Sequence, residues 1–403
     1  MLDLNTIKKA YARITDVVYH TPLTYAPMLS QISGYEVYLK KENLQRTGAF
    51  KLRGAFNKIA TLVEEDSKKG VVAASAGNHA QGVAFSARYF EIEATIVMPE
   101  TTPLTKVQGV KDFGANVILH GSNYDEAYLY AVTFAQENDY TFVHPFTDDE
   151  VISGQGTVAL EIFEELDDLD ALVVPVGGGG LISGMSVASK ALRPECKVIA
   201  VSAAGAPAMK MSFDQKTAID TISVKTIADG IAVRDTWTKT LDYILEYVDS
   251  FESACEDEIA SAILFLLEKQ KVLVEGAGAV GVAALMHGKI DLPKGSKIAI
   301  VLSGGNIDVT MLSLIIEKGL MKTFRKMKLL VILVDKPGAL QLFTQILTDI
   351  SANIVQIGYD RTSTDLEFGD AHVSVSLETK GVEHQELIRK KLKESGFSYK
   401  EEH

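Results

Sequence analysis

The sequence predicts an α/β protein built on parallel sheets, followed by a smaller βαββαβ module. Three observations carry this expectation. From about Tyr35 to Leu320, short apolar, β-branched runs alternate with segments of helical period. Several of those runs stop at a cluster of small residues. Near Gly319 the pattern changes, and the basic stretch 321–328 precedes a unit of different character.

The runs are 71–75, 94–99, 116–120, 171–176, 197–202 and 298–303. Uninterrupted apolar strands between amphipathic helices are buried on both faces, and parallel packing satisfies that condition. Ligands of such sheets collect at the carboxyl ends of the strands. Beyond a linker at 321–328, residues 329–334 read as a strand and 338–350 as a helix. Strands near 353–360 and 369–377, a helix near 382–395 and a short final strand complete the chain. That order is the ferredoxin-like one.

Composition narrows the function. The 403 residues carry a net charge of −13, and 47% are hydrophobic, the balance of a chain that buries a core. From Phe324 onward there are 11 basic and 12 acidic residues, so the acidic excess (29 against 41) lies in the first 323. With no cationic surplus to meet phosphates along a duplex, nucleic acid is excluded as a partner. Cys196 and Cys255 make no disulfide framework and have no zinc-ligand spacing, which fits a reducing cytoplasm. Asp3, Lys8 and Lys9 interrupt any signal peptide. The uncharged run 171–189 contains Pro175 and four glycines, which would break a membrane span.

Four segments carry chemistry. The strand 171–176 runs into Gly177, Gly178, Gly179 and Gly180 and then into a helical pattern. Without Cβ atoms, successive N–H groups can converge on an anion at a helix start, although one or two glycines would already serve a tight turn. Walker chemistry needs Gly-Lys-Ser/Thr, but Met185 follows Gly184. A dinucleotide fingerprint would need glycine at Ile182 or Ser183. In TGAFKLRGAFNKI, Lys51 opens a helical run, where burial would depress its pKa, against the ordinary reading of a solvated lysine. In VVAASAGNHAQG, the loop Ser75, Ala76, Gly77, Asn78, His79 precedes a helix and would receive a carboxylate. Asn78 could bond a cofactor oxygen or simply cap the helix, and His79 reads more as a structural hydrogen-bonder than as a base. IAIVLSGGN presents Ser303 at a strand end without the Gly-x-Ser-x-Gly elbow of a hydrolase nucleophile, so its neutral hydroxyl suits a heteroaromatic nitrogen.

Together these segments resemble fold type II pyridoxal-phosphate enzymes, and within them the threonine/serine dehydratases, over roughly residues 1–320. The resemblance implies a two-lobed parallel-sheet core, with the smaller lobe at about 45–150. It implies pyridoxal 5'-phosphate held covalently by Lys51, its phosphate on Gly177 to Gly180, its 3-hydroxyl near Asn78 and its ring nitrogen at Ser303. Phe50 would pack beside the ring. Ser75, Gly77, Asn78 and His79 would take the substrate carboxylate, with Lys51, Ser75 and Asn78 as the catalytic set. Glu275 matches a position near the ring, or else is a carboxylate favoured by a helix N-terminus.

The reaction this resemblance implies is loss of water from a 2-amino-3-hydroxy acid, giving a 2-oxo acid and ammonia from L-threonine, with L-serine as secondary substrate. A serine racemase or 3-hydroxyaspartate dehydratase is the alternative, but Ala76 stands where related racemases carry a second serine. A nicotinamide-dependent dehydrogenase fails on glycine spacing, and a sensor without chemistry would be expected to have lost Lys51 or the glycines. The segment SAAGAPA (202–208) lacks the carboxylates with which such relatives hold a divalent cation, so no metal is expected. The tail resembles an ACT domain. Its loop Asp335, Lys336, Pro337, Gly338 together with Asn353 and Ile354 would line an amino-acid pocket between paired modules, for isoleucine or valine, in a homo-oligomer (dimer or tetramer). The bland reading is a module that only dimerises.

Overall fold

The computed structural model describes residues 2–65 and 69–402 and divides into two compact units, 1–308 and 309–403. The first unit is built on two sheets. One runs in the order Leu23–Tyr25, Glu36–Lys40, Lys297–Val301, Ala171–Pro175, Lys197–Ala203, Ser250–Ala254. Its neighbours are parallel apart from the first pair. The other, Asn116–Leu119, Ala94–Met98, Val71–Ala74, Thr141–Phe142, is parallel throughout. All six apolar runs are strands, and this is the two-lobed α/β fold expected from the sequence. Four strands the apolar pattern did not mark are short or carry charge, as in Glu36–Lys40 with a charged residue at each end.

Close backbone crossings set the helices against these sheets. A Cβ on Gly154 would lie 2.5 Å from the carbonyl oxygen of Arg53, so the helices Lys51–Glu64 and Asp149–Glu165 touch through their main chains. The same holds at Gly184, where a Cβ would come within 2.4 Å of the Ile152 oxygen. Behind the first of these helices lies a solvent-free charge network. Arg53 bonds Glu42 at 2.8 Å and Glu161 at 2.6 Å, and Lys40 bonds Glu161 at 2.7 Å. It joins the strand Glu36–Lys40 to the helix Asp149–Glu165 through the helix that begins at Lys51.

The second unit has an antiparallel sheet in the order Asn353–Asp360, Asp370–Glu378, Lys326–Val334, Ser398–Glu402, with helices Ala339–Asp349 and Val382–Glu394. Its core includes Met327, Leu329, Val331, Phe343 and Leu392. The first strand begins at Lys326, inside the basic stretch expected to be a linker. Lys-Met-Lys there is the period-two start of a strand, with Met327 pointing into the core. The helix Val309–Lys322 also belongs to this unit, so the division falls ahead of position 320. Among the described residues no helix is long and apolar enough to cross a membrane.

Candidate active site

The carboxyl ends of strands from both sheets open on one cavity of about 730 Å³, and its wall contains Phe50, Lys51, Ser75 to His79, Gly177 to Gly180, Glu275 and Ser303. The structure therefore gathers, in one place, residues far apart along the sequence. Two helices, Asn78–Tyr89 and Gly180–Leu192, start at this cavity. Their N-caps are Gly77 and Gly179, and neither helix has a side-chain cap. A helix start without a capping oxygen leaves N–H groups free for an anion, and the helix dipole favours one. Gly179 has φ +89°, and a Cβ on Gly178 would sit 2.5 Å from the Phe146 ring, so this loop tolerates no side chain at either position.

Lys51 donates to the carbonyl oxygen of Pro145 at 3.0 Å. Burial pulls its pKa down to about 8, against the opposing pull of Glu275. Glu275, 3% exposed, is pushed up to about 7, chiefly by burial and by Asp229. Its Oε1 accepts from Asn78 Nδ2 at 2.8 Å, and Asn78 Oδ1 accepts from Asn306 Nδ2 at 2.7 Å. Asn78 is thus the middle of a side-chain chain and is not the N-cap. The backbone N–H of Phe50 donates to the Ser303 carbonyl at 3.1 Å, docking the lysine turn on the strand end of the larger sheet. Gly77 N–H donates to Ser75 Oγ at 3.2 Å. His79 contacts the Val143 carbonyl through Nε2 at 2.8 Å, and burial takes its pKa to about 3. The fold thus keeps this ring neutral and tied to the strand end, in the loop expected to receive a carboxylate.

Several wall residues escaped the sequence reading. Asn306 stood at the end of a quoted motif, and its polarity after two glycines was the signal; it bonds Thr47 O at 2.8 Å as well as Asn78. Pro145, Phe146 and Trp237 gave no such signal, because only folding brings them to Lys51 and the glycines. In the second unit, Asp335 accepts from Tyr359 Oη at 2.9 Å and from Arg361 at 3.0 Å. Pro337 and Gly338 share that loop, whereas Asn353 and Ile354 begin their strand beside Glu378 and Leu377, which pair with Lys326 and Met327. The two groups lie at opposite ends of the sheet, roughly 30 Å apart at ~3.3 Å per residue. A single copy does not bring them together.

Residues 14–304 match the family described as pyridoxal-phosphate dependent enzyme. The chain belongs to that family. It is 49% identical over 397 residues, 98% of both chains, to an L-threonine ammonia-lyase of Thermotoga maritima. The solved structure of maize serine racemase matches with TM-score 0.74 at 35% identity, covering 79% of this chain and 98% of the racemase. The processed threonine deaminase isoform 2 of Solanum lycopersicum matches with TM-score 0.73 at 37% identity, covering 78% and 87%.

Pyridoxal phosphate and an amino-acid substrate bring two anionic groups, and this pyridoxal-phosphate enzyme has two uncapped helix starts in one cavity with a depressed-pKa lysine beside them. The residues present fit the cofactor.

Proposed function

We propose that the protein converts L-threonine to 2-oxobutanoate and ammonia, with L-serine as a poorer substrate. The observation that carries this is the meeting of Lys51 with two glycine-capped helix starts in one cavity. The similarity to proteins named L-threonine ammonia-lyase and threonine deaminase supports threonine as the substrate.

When bound, pyridoxal phosphate supplies the electron sink that makes an amino acid's α-proton removable. Gly177 to Gly180 and the start of the helix Gly180–Leu192 would hold its phosphate, Lys51 its aldehyde carbon, Asn78 its 3-hydroxyl and Ser303 its ring nitrogen, with Phe50 alongside. The loop Ser75 to His79 offers the substrate carboxylate the N–H groups at the start of the helix Asn78–Tyr89. The Lys51 amine, with a pKa of about 8, is unprotonated often enough near neutrality to accept the α-proton. The β-hydroxyl leaves as water after taking up a proton, and the α-proton on Lys51 replaces the one spent, so the net loss is one water. The resulting enamine tautomerises to an imine, and hydrolysis returns that water and releases ammonia. The neutral hydroxyl of Ser303 would leave the ring nitrogen unprotonated, which suits elimination better than reactions that must store charge on the ring. Racemisation needs a proton donor on the opposite face, and Ala76 in the carboxylate loop has none to give.

Two cysteines without a disulfide fit a cytoplasmic enzyme. For the second unit we propose an ACT-type regulatory role in which Asp335, Pro337 and Gly338 of one copy and Asn353 and Ile354 of another line a site for isoleucine or valine. The separation of those residues within one sheet supports a pocket that needs two copies. Equilibrium dialysis with either amino acid, together with sedimentation, tests this part: no binding and a monomer would reject it.

The activity is tested by incubating the purified, cofactor-loaded protein with L-threonine. Equimolar 2-oxobutanoate and ammonia are expected; D-allo-threonine, the product of inversion at the α-carbon, or unchanged substrate would overturn the reading.

A further inference from the structure

His144 lies between the short strand Thr141–Phe142 and the helix Asp149–Glu165, and it is 9% exposed. Its Nδ1 accepts two main-chain N–H groups, from Phe146 at 3.3 Å and Thr147 at 3.1 Å. Accepting at Nδ1 places the proton of the neutral ring on Nε2, and Nε2 has no hydrogen-bond partner among the described residues. The ring is instead held edge-on by aromatic side chains, with centroids at 4.7 Å for Phe146, 4.8 Å for Trp237 and 6.0 Å for Tyr128. Burial and the nearby Lys51 take its pKa to about 4, so the lone pair on Nδ1 persists at neutral pH.

The turn that His144 closes is the one the site uses. Pro145, inside it, gives its carbonyl to the Lys51 amine at 3.0 Å. Phe146, also inside it, lies against the glycine loop, since a Cβ on Gly178 would be 2.5 Å from its ring and one on Gly180 would be 2.8 Å from its Cβ. One short turn thus meets both the lysine and the anion seat.

We infer that His144 is a positioning residue. Its Nδ1 fixes the turn 144–147, and through the Pro145 carbonyl and the Phe146 ring it sets the Lys51 amine and the glycine cradle in register. An imidazole here does what an aspartate or asparagine side chain does in an Asx turn, accepting from the N–H groups two and three residues on. The inference rests on the reading that Lys51 and the glycines hold the cofactor.

Two substitutions separate acceptor from bulk. His144→Phe fills the aromatic cage without an acceptor. It is expected to lower kcat about 100-fold, the scale of a small displacement of reacting groups, with KM within about threefold, and to weaken pyridoxal phosphate binding to the apoprotein about tenfold. His144→Asn restores an acceptor with the same two-and-three-residue reach and is expected to keep kcat and cofactor affinity within about fivefold of the unsubstituted protein. Near-wild-type behaviour of His144→Phe would overturn the inference, as would an equal loss in His144→Asn. Should His144→Phe not fold, nitrogen-15 histidine labelling of the unsubstituted holoenzyme decides. The imidazole signal absent from the His144→Asn spectrum must show a bare Nδ1 and a protonated Nε2, and a proton on Nδ1 rejects the role. Failure of the underlying cofactor reading looks different: the unsubstituted protein would then bind no pyridoxal phosphate at all.

Discussion

Asn78 donates through Nδ2 to Oε1 of Glu275 at 2.8 Å, tying the start of the helix Asn78–Tyr89 to the start of Gly276–Met286. Glu275 has a pKa pushed up to about 7, mainly by burial. A buried acid whose pKa is raised on folding binds more protons in the native state than in the unfolded one. Its charge therefore costs stability as pH rises through the window from 4.5 to about 7. Glu275→Gln keeps an acceptor for Asn78 and removes that charge. The variant is expected to be more stable than the parent at pH 8, by about 3 kcal/mol, in urea unfolding, and to lose the inflection near neutrality in the pH profile of kcat/KM. An unchanged profile with unchanged stability would show that Glu275 does not titrate there.

The glycine loop makes a sharper steric prediction. A Cβ on Gly178 would meet three ring atoms of Phe146 at 2.5 to 2.6 Å, and Phe146 is 9% exposed, with little room to withdraw. Gly178→Ala is expected to cost about 1–3 kcal/mol by overpacking and to lower cofactor affinity by shifting the N–H groups that face the anion. Thermal unfolding and absorbance titration of the apoprotein with pyridoxal phosphate check the two effects.

Much of this was legible in the sequence because the signal was local. Runs such as 171–176 and 197–202 are apolar for nearly their whole length, the mark of strands covered on both faces, and they are strands. Lys51, Asn78, Gly177 and Ser303 each stood at a junction of strand, turn and helix, and each lies on the cavity. The turn 144–147, Trp237 and the bonds of Asn306 were not legible, since their meaning comes from residues scores of positions away. Nothing local in the sequence marked Arg53. It is completely buried, because Glu42 and Glu161 arrive from other elements to neutralise it. The strand at Lys326 was hidden by its lysines, whose alternation with Met327 is the pleat itself.

That arginine supports a third prediction. Arg53 has no solvent exposure, and burial alone would lower its pKa, yet Glu42 and Glu161 hold it well above the ordinary value. Arg53→Met removes the central cation and leaves two carboxylates enclosed with only Lys40 to pair, and breaking such a network costs about 3–5 kcal/mol. Chemical denaturation should register that loss at neutral pH. Because Lys51 lies two residues before Arg53 on the same helix, cofactor affinity should fall with it.

Two buried histidines of the first unit, His79 and His144, set how its stability responds to acid. His79 is drawn down to about 3 and His144 to about 4, in both cases first by burial and then by the Lys51 charge. In the unfolded chain each would titrate at its ordinary value of 6.5. Between those values the unfolded state holds protons that the native state refuses, so the free energy of unfolding falls as pH drops from 6.5 towards 4. Glu275 opposes the two histidines in the same window, so in Glu275→Gln, where that acid is gone, urea midpoints measured at intervals from pH 7 to 5 should decline with a slope approaching about two protons taken up on unfolding. Adding His144→Asn removes one of the two groups and should nearly halve that slope while leaving the pH at which it begins unchanged. A flat response between pH 7 and 5 in Glu275→Gln would mean that neither ring is held neutral by the fold, and the aromatic cage around His144 would then have to be open to water.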